Sequence, residues 1–337
     1  MKNLKELEKK LQIDGLIARP ISVPEDMSAM LDLYNLVNQY DKITDFATLG
    51  EITNAYHNIK NCSLETDSFI LEINGQLICY GLSRWNVEAT GDYIYTLITH
   101  IHPEWRRKGI GTQIMLWLEE RTREISKNHN PKSLKFFDIW IQDTQMGNLS
   151  LASKFGYKEE RYFFDMTRNL LEPITTPHIF EDLEIRSVKK EHFRKIWNAM
   201  TESFRGDWGF IEPEEKDYEN WLKRIENVPE YNPSHWKIAW DGDKVAGMAL
   251  NAIFTEEEKD SVIRKGWTYT ICVLPSYRRK NLATGLINES LLFLKNEGIE
   301  KAGLSVDANN PTGALNLYKN CGYEISETMI IFRKNLS

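Results

Sequence analysis

The chain has 337 residues, 42% of them hydrophobic and 27% charged, which is typical of a folded protein with about two domains. Its formal net charge of −7 argues against general binding to nucleic acid or to an anionic membrane surface. The four cysteines are scattered, and no apolar run approaches the ~20 residues of a membrane span. We therefore expect a cytoplasmic protein with no metal site, no disulfide framework, and no nucleic-acid or membrane partner.

In chain order, the first half predicts strands and helices in alternation. Apolar residues at alternating positions indicate strands, apolar residues at helical spacing indicate helices, and turn residues separate these elements. The predicted elements are strand Leu16–Pro20, helices Met27–Val37 and Leu49–Ile59, strands Ser68–Ile73 and Gln76–Trp85 around Asn74-Gly75, a strand entering a loop and a helix at Ile110, strand Leu134–Ile141, helix Asn148–Phe155 and strand Tyr157–Met166.

The second half predicts the same order of elements. Glu172–Pro177 contains two prolines and no periodicity, so we interpret it as a linker. After it come strand Leu183–Arg186, helix Glu191–Ser203, strands Trp236–Trp240 and Lys244–Phe254, the second strand–loop–helix unit, strand Ala302–Val306, helix Thr312–Asn320 and strand Tyr323–Phe332. The pattern predicts a tandem duplication with domains at residues 1–172 and 173–337.

The most informative repeat is TLITHIHPEWRRKGIGTQIM, Thr96–Met115, and its counterpart TYTICVLPSYRRKNLATGLI, Thr268–Ile287. The two copies are 278 − 106 = 172 residues apart. A strand that leads through a basic loop into a helix start predicts a phosphate cradle, because the first helical N–H groups favour an anion. The sequences match neither GxxxxGK[ST] nor GxGxxG, which disfavours a P-loop or Rossmann protein.

The loop Arg106-x-x-Gly109-x-Gly111 resembles the acetyl-coenzyme A signature of the GNAT acyltransferase superfamily. The second copy, Arg278-x-x-Asn281-x-Ala283, departs from it at Asn281, but Asn tolerates a left-handed φ, so we expect the turn to persist. The resemblance implies an α/β (α+β) fold of two tandem GNAT domains, each a mixed, mostly antiparallel sheet flanked by helices. It also implies acetyl-CoA as the acyl donor.

The same resemblance implies a set of cofactor-binding residues in each repeat. In the second repeat they are Ile271, Cys272, Val273, Arg278, Arg279, Lys280, Asn281, Leu282, Ala283, Thr284 and Asn310. In the first repeat they are Ile101, Arg106, Arg107, Lys108, Gly109, Ile110, Gly111 and Thr112.

The stretch LSVDANNPTGALNLYKNCGY, Leu304–Tyr323, resembles the C-terminal GNAT pattern in which a tyrosine lies near the thioester sulfur. Tyr318 matches that tyrosine, and alignment of the two Gly-Tyr pairs places Ala152 opposite it in the first repeat. The tandem layout with Phe204–Phe210 resembles relatives of mycothiol synthase, whose C-terminal domain is the catalytic one. We therefore expect catalysis by Tyr318 in the second domain.

These patterns predict an acetyl-CoA-dependent N-acetyltransferase acting on the primary amine of a small molecule, as a monomer or a homodimer. Asp207, Trp208 and Glu212 are the candidate substrate residues, and Asp207 or Glu212 is the candidate general base. Two alternatives stay open. The N-terminal domain, with the more regular loop, could be the active one, or the protein could bind or sense acyl-CoA without catalysis, since Tyr269 and Thr270 stand where a strand carboxylate is common.

Overall fold

The structure is a computed structural model that describes residues 2–44, 47–175, 182–258 and 261–336. The last part of the predicted linker, Thr176 and Pro177, lies outside the described residues. The chain divides into two compact units: unit 1 is Met1–Arg161 with Met329–Ser337, and unit 2 is Tyr162–Thr328. None of the helices in the described ranges has the length and apolar character needed to cross a membrane.

Unit 1 is a mixed sheet with helices packed against it. Its helices are α1 (Lys2–Leu11), α2 (Met27–Asp41), α3 (Leu49–His57), α4 (Leu64–Asp67), α5 (Ile110–Ser126) and α6 (Met146–Lys154). Its strands are β1 (Leu16–Arg19), β2 (Ser68–Ile73), β3 (Gln76–Val87), β4 (Tyr93–Ile101) and β5 (Lys135–Gln142). Neighbouring strands from β1 to β4 are antiparallel, and β4 pairs with β5 in parallel.

Local sequence explains most of these elements. Asn74 and Gly75 have φ of 52° and 79°, the left-handed pair that a tight β2–β3 hairpin requires, and the predicted hairpin is confirmed. In α5, Ile114, Trp117 and Leu118 fall on one face and are buried, as their helical spacing predicts.

Unit 2 repeats the design, with one helix that we did not predict. Its helices are α7 (Phe193–Phe204), α8 (Glu215–Asn227), α9 (Leu282–Asn296) and α10 (Ala314–Asn320). Its strands are most of β6 (Lys158–Asn169), β7 (Glu184–Ile185), β8 (Lys237–Asp241), β9 (Lys244–Glu258), β10 (Ser261–Val273) and β11 (Lys301–Asp307), hydrogen-bonded in the order β6–β11–β10–β9–β8–β7. Only the β10–β11 pair is parallel among the ladders described in this unit.

The closing strands of the two sequence repeats are exchanged. The last strand of the chain, β12 (Glu324–Asn335), pairs through Met329–Asn335 with β5 of unit 1. The closing strand of the first repeat, β6, pairs with β11 of unit 2. The compact units therefore differ from the sequence repeats in these two strands, and the predicted domain boundary after residue 172 stays a prediction.

Buried charges explain why β12 belongs to unit 1. Arg333 donates to both carboxylate oxygens of Asp138, each at 2.8 Å, and Lys334 lies 2.7 Å and 2.9 Å from the two carboxylate oxygens of Glu119. Asp138 and Glu119 are only 3% and 4% exposed. Aligning Gly156 of the first repeat with Gly322 of the second gives an offset of 322 − 156 = 166 residues. The residue of β6 equivalent to Arg333 is therefore Thr167, an uncharged residue that cannot form an ion pair with Asp138.

Candidate active site

The two basic loops have the same backbone conformation. Arg107 and Gly109 have φ of 63° and 81° in unit 1, and Arg279 and Asn281 have φ of 59° and 60° in unit 2. Each pair of left-handed residues turns the chain from a strand into the first residue of a helix, α5 or α9. The prediction that Asn281 adopts the φ of the usual glycine is confirmed.

The helix starts offer unpaired backbone donors to a ligand. Neither Gly109 nor Asn281 caps its helix through a side chain, and the first i to i−4 bonds run from Gln113 to Gly109 and from Gly285 to Asn281. The N–H groups of the first turn therefore have no acceptor within their helices. A Cβ added at Gly109 would meet nothing within 4 Å, so the space beside the loop is open. This donor set fits the diphosphate of a coenzyme A.

The first arginine of each loop is engaged with the protein itself. Arg106 donates from Nε to the Ile101 carbonyl at 3.2 Å and forms a two-bond ion pair with Asp41 at 2.5 and 2.9 Å. Arg278 donates to the carbonyls of Val273 at 2.9 Å and Ser203 at 2.8 Å. Each guanidinium group thus connects the end of a strand to the end of a helix.

In unit 2, β10 and β11 separate before they reach the loop. Their described ladder consists of Gly266↔Ala302 and Trp267↔Gly303, although β10 continues to Val273. The β9–β10 register shifts between Thr268 and Thr270, which places a bulge at Tyr269. Beyond Trp267 the edge of β10 that faces β11 has no described strand partner. We call this gap, between residues 268–273 and 304–307, the acyl slot.

Tyr318 lies on α10 beside the acyl slot. It is 6% exposed, and its ring meets that of Tyr323 edge-on with centroids 6.1 Å apart. Burial raises the pKa of Tyr318, and the nearby thiols of Cys272 and Cys321 raise it further. The structure thus brings Tyr318 close to Cys272, one of the predicted cofactor-binding residues of β10. The phenol stays protonated across the physiological pH range.

A carboxylate approaches the same end of β10 from the loop after α7. Burial raises the pKa of Asp207. The positive charge of Arg278 opposes this rise, and the negative charge of Asp307 adds to it. Burial raises the pKa of the Cys272 thiol to about 12. A hydrogen bond with Ser203 and the charge of Arg278 oppose this rise, and the negative charge of Asp207 adds to it. Asp207 is therefore an electrostatic neighbour of the residues that line the slot.

The remaining predicted residues of unit 2 lie in different environments. Glu212 is exposed and accepts two hydrogen bonds from Arg205, at 2.7 and 3.2 Å, and the Arg205 hydrogen bond lowers the pKa of Glu212. Trp208 lies against Phe163 of β6, with ring centroids 6.4 Å apart. Asn310 accepts a 2.9 Å bond from the Thr312 N–H and so shapes the turn before α10.

Unit 1 has the loop but different side chains around it. Ala152, the counterpart of Tyr318, is fully buried and carries no donor. His100 occupies the place of Cys272, since 272 − 100 = 172, and lies between the rings of Tyr34 and Tyr80 at 5.2 and 4.8 Å. Burial lowers the pKa of His100 to about 4, so this imidazole is neutral. We did not assign His100 a role from the sequence, and the structure gives it aromatic packing.

A cleft of about 500 Å³ lies elsewhere in unit 2, beside the start of α7 and the segment after α8. Phe193 and Trp236 line it, and it shares no lining residue with the predicted site.

Across the described ranges, His, Cys, Asp and Glu side chains form no group suited to holding a metal ion.

The fold and the duplicated loop define an acyltransferase of one family. The family model for acetyltransferases (GNAT family) matches residues 31–157 and 194–323, which together make up more than half of the chain. The chain belongs to the GNAT acetyltransferase family and is an acyltransferase enzyme.

Among curated relatives, this chain is similar to mycothiol acetyltransferases. It is 25% identical to that of Geodermatophilus obscurus over 243 residues, covering 70% of this chain and 72% of the relative. It is 21% identical to that of Stackebrandtia nassauensis over 319 residues, covering 92% of this chain and 97% of the relative. The second match extends over both repeats.

Solved structures share the fold over nearly the whole chain. A GCN5-related N-acetyltransferase from Sphaerobacter thermophilus has a TM-score of 0.71 at 23% identity, covering 96% of both chains. A tandem GNAT protein from the clavulanic acid biosynthesis pathway has a TM-score of 0.67 at 13% identity, covering 96% of this chain and 99% of that one. Saccharomyces cerevisiae N-myristoyltransferase with bound myristoyl-CoA has a TM-score of 0.63 at 11% identity, covering 96% and 79%.

Proposed function

We propose that the protein transfers an acetyl group from acetyl-CoA to the primary amine of a small molecule, and that catalysis takes place in unit 2. The observation that carries this proposal is the position of Tyr318, a buried and protonated phenol beside Cys272 at the acyl slot. The similarity to mycothiol acetyltransferases supports acetyl as the transferred group.

The backbone of unit 2 supplies the binding groups. N–H groups of the loop and first helical turn, at residues 279–284, would hold the diphosphate, with Lys280 as a nearby cation. The edge of β10 at Ile271–Val273, which has no described strand partner, would hydrogen-bond the pantetheine arm and the thioester carbonyl. One fixed backbone donor of this kind is worth ~2.7–4 kcal/mol in the transition state. When bound, acetyl-CoA would supply the acetyl group as a thioester.

Tyr318 would donate a hydrogen bond to the departing sulfur. A phenol titrates near ~10 and a thiol near ~8.5 in their ordinary environments, so full proton transfer from tyrosine is already unfavourable. Burial raises the pKa of Tyr318 and makes complete transfer less favourable still. The role that fits the residue is hydrogen-bond stabilisation of the developing thiolate.

Asp207 would prepare the acceptor. A primary amine arrives as ammonium near neutral pH and cannot attack until it loses a proton. The Asp207 carboxylate would take that proton, leaving the amine nitrogen neutral and the carboxyl protonated. Its raised pKa suits this role better than that of Glu212, whose carboxylate is exposed and bound to Arg205.

Unit 1 is the alternative site, because Arg107 and Gly109 give its loop the same backbone as that of unit 2. It lacks a donor at Ala152, so we propose that it binds acyl-CoA or serves a structural role without chemistry. The non-catalytic alternative for the whole protein draws on Tyr269 and Thr270, which place no carboxylate on the strand.

The test is a screen of primary amines by thiol release from acetyl-CoA, comparing the wild type with Tyr318→Phe. We expect turnover to fall about 10²-fold, the usual effect of losing one such donor, while acetyl-CoA affinity by calorimetry stays within a fewfold. Tyr323→Phe is the matched control, since Tyr323 is also buried and contacts Tyr318. Turnover that survives Tyr318→Phe unchanged would contradict the assignment to unit 2.

A further inference from the structure

The closed end of the acyl slot is formed by a tryptophan that lies on a glycine. Trp267 is the last residue of β10 in the described β11 ladder, and its partner there is Gly303. A Cβ added at Gly303 would overlap the six-membered ring of Trp267. The indole therefore lies directly over the backbone of β11 at the point where the two strands part.

The indole covers one face of the sheet. A Cβ at Gly266 would meet Leu294 of α9, so residue 266 faces that helix, and strand alternation puts Trp267 on the opposite face. On β11, Ala302 and Leu304 are buried in the same core cluster as Leu294, so Gly303 also faces away from α9. Both observations place the ring on the face away from α9.

Buried hydrogen bonds close the opposite face. Thr268 is 3% exposed and donates from Oγ1 to Asn251 Oδ1 at 2.8 Å. Asn251 is fully buried and donates in turn to the His235 carbonyl at 2.9 Å and to Ser290 Oγ at 3.0 Å. An apolar acyl chain could displace the Asn251 amide only by leaving buried polar groups without hydrogen bonds, which is unfavourable.

We propose that Trp267 on Gly303, together with the Thr268–Asn251 hydrogen bonds, fixes the depth of the acyl slot and limits the donor to short acyl groups. The inference rests on the proposed function, which places the thioester at Ile271–Val273. With the bulge residue subtracted, about three strand residues, or ~10 Å, separate Ile271 from Trp267. The indole and Thr268 occupy part of that length, so an acetyl group fits and an eight-carbon chain does not.

Unit 1 provides an internal contrast. The offset of 172 places Tyr95 opposite Trp267, and Tyr95 pairs with Phe137 where Trp267 pairs with Gly303. The β4–β5 ladder continues one pair further, to Thr96↔Asp138, and no glycine lies under the ring of Tyr95. Trp267 and Gly303 both belong to unit 2, so an effect of changing Trp267 is assigned to unit 2, even when both loops of the full chain take up a ligand.

The experiment is calorimetric titration of the full chain with acetyl-CoA and octanoyl-CoA, which needs no acceptor. For the wild type we expect octanoyl-CoA to bind unit 2 at least 10-fold more weakly than acetyl-CoA. Trp267→Ala should reduce that ratio at least 10-fold, whereas Trp267→Phe, which keeps a ring over Gly303, should leave it within about threefold. Thermal unfolding identifies variants that do not fold, and Trp267→Leu replaces the alanine variant in that case.

The outcomes separate the two proposals. Equal affinity of the wild type for both donors, or an unchanged ratio in folded Trp267→Ala and Trp267→Leu, would overturn the limit on acyl length while leaving Tyr318-dependent acetyl transfer intact. Failure of every variant to bind acetyl-CoA would instead contradict the proposed function.

Discussion

The two units share a cofactor loop and differ in the side chains around it. Arg107 and Gly109 in one loop have nearly the same φ as Arg279 and Asn281 in the other, although the sequences differ at the usual glycine. By contrast, the position beside the slot is Tyr318 in unit 2 and alanine in unit 1. A backbone cradle tolerates sequence change as long as φ is preserved, whereas chemistry depends on a particular side chain.

The first arginine of the loop extends the comparison. Arg106 reaches the carboxylate of Asp41, and Arg278 reaches the backbone carbonyl of Ser203, so the same connection between strand end and helix end uses different acceptors. The arginine is common to both loops because a guanidinium group can donate to two acceptors at fixed geometry. Its shared position therefore reflects loop architecture in both units.

The largest predicted effect concerns β12, the strand from the end of the chain that completes unit 1. Arg333→Thr places on β12 the residue that β6 has at the equivalent position, and leaves Asp138 buried without its cation. We expect a loss of about 3–5 kcal/mol in the free energy of unfolding, measured by urea denaturation of the full chain.

The control for this prediction is the double variant Arg333→Thr with Asp138→Asn. Removing the uncompensated charge should restore a large part of the lost stability. A loss below ~1 kcal/mol in the single variant would show that the ion pair does not hold β12 in unit 1.

An intermediate effect tests the two carboxylates of unit 2 against each other. Asp207→Asn should lower kcat/KM about 10²-fold at neutral pH, the usual contribution of a positioned base. Because burial raises the pKa of Asp207, its base form is lost as pH falls through that raised value. Wild-type kcat/KM should therefore decline on the acid side at a higher pH than an exposed aspartate would give, and the variant should lack this decline.

Glu212→Gln is the matched control, since it neutralises a carboxylate on the same segment that is exposed and paired with Arg205. We expect kcat/KM to change by less than about twofold, as for other exposed ion pairs. A larger loss from Glu212→Gln than from Asp207→Asn would reverse the assignment of the base.

The smallest effect compares the loops themselves. Gly109→Asn makes the unit 1 loop resemble that of unit 2 and should cost less than about 1 kcal/mol, because Asn tolerates the left-handed region. Gly109→Val, at φ of 81°, should cost about 1–2 kcal/mol or more. Urea denaturation of both variants checks the order, and equal costs would contradict the account of Asn281.

The features predicted correctly from the sequence are those that depend on residues close together in the chain. The Asn74-Gly75 hairpin, the helix starts after both loops and the left-handed Asn281 all follow from the residues at those positions. Helix α8 was not predicted, although Tyr218, Trp221, Leu222 and Ile225 recur at helical spacing. Three of these residues, Trp221, Leu222 and Ile225, pack on the core around Phe193.

The sequence by itself determined the duplication, the loop conformation and the residues that resemble the family signature, since each depends on neighbours along the chain. Only the tertiary structure decided which unit each closing strand completes, because Asp138 and Arg333 are 333 − 138 = 195 residues apart and either strand has a suitable pattern. It also decided that Arg106 and Arg278 bind protein groups, and that Asp207 rather than Glu212 lies near Cys272. Those contacts depend on which backbone ends meet, and no local pattern encodes that.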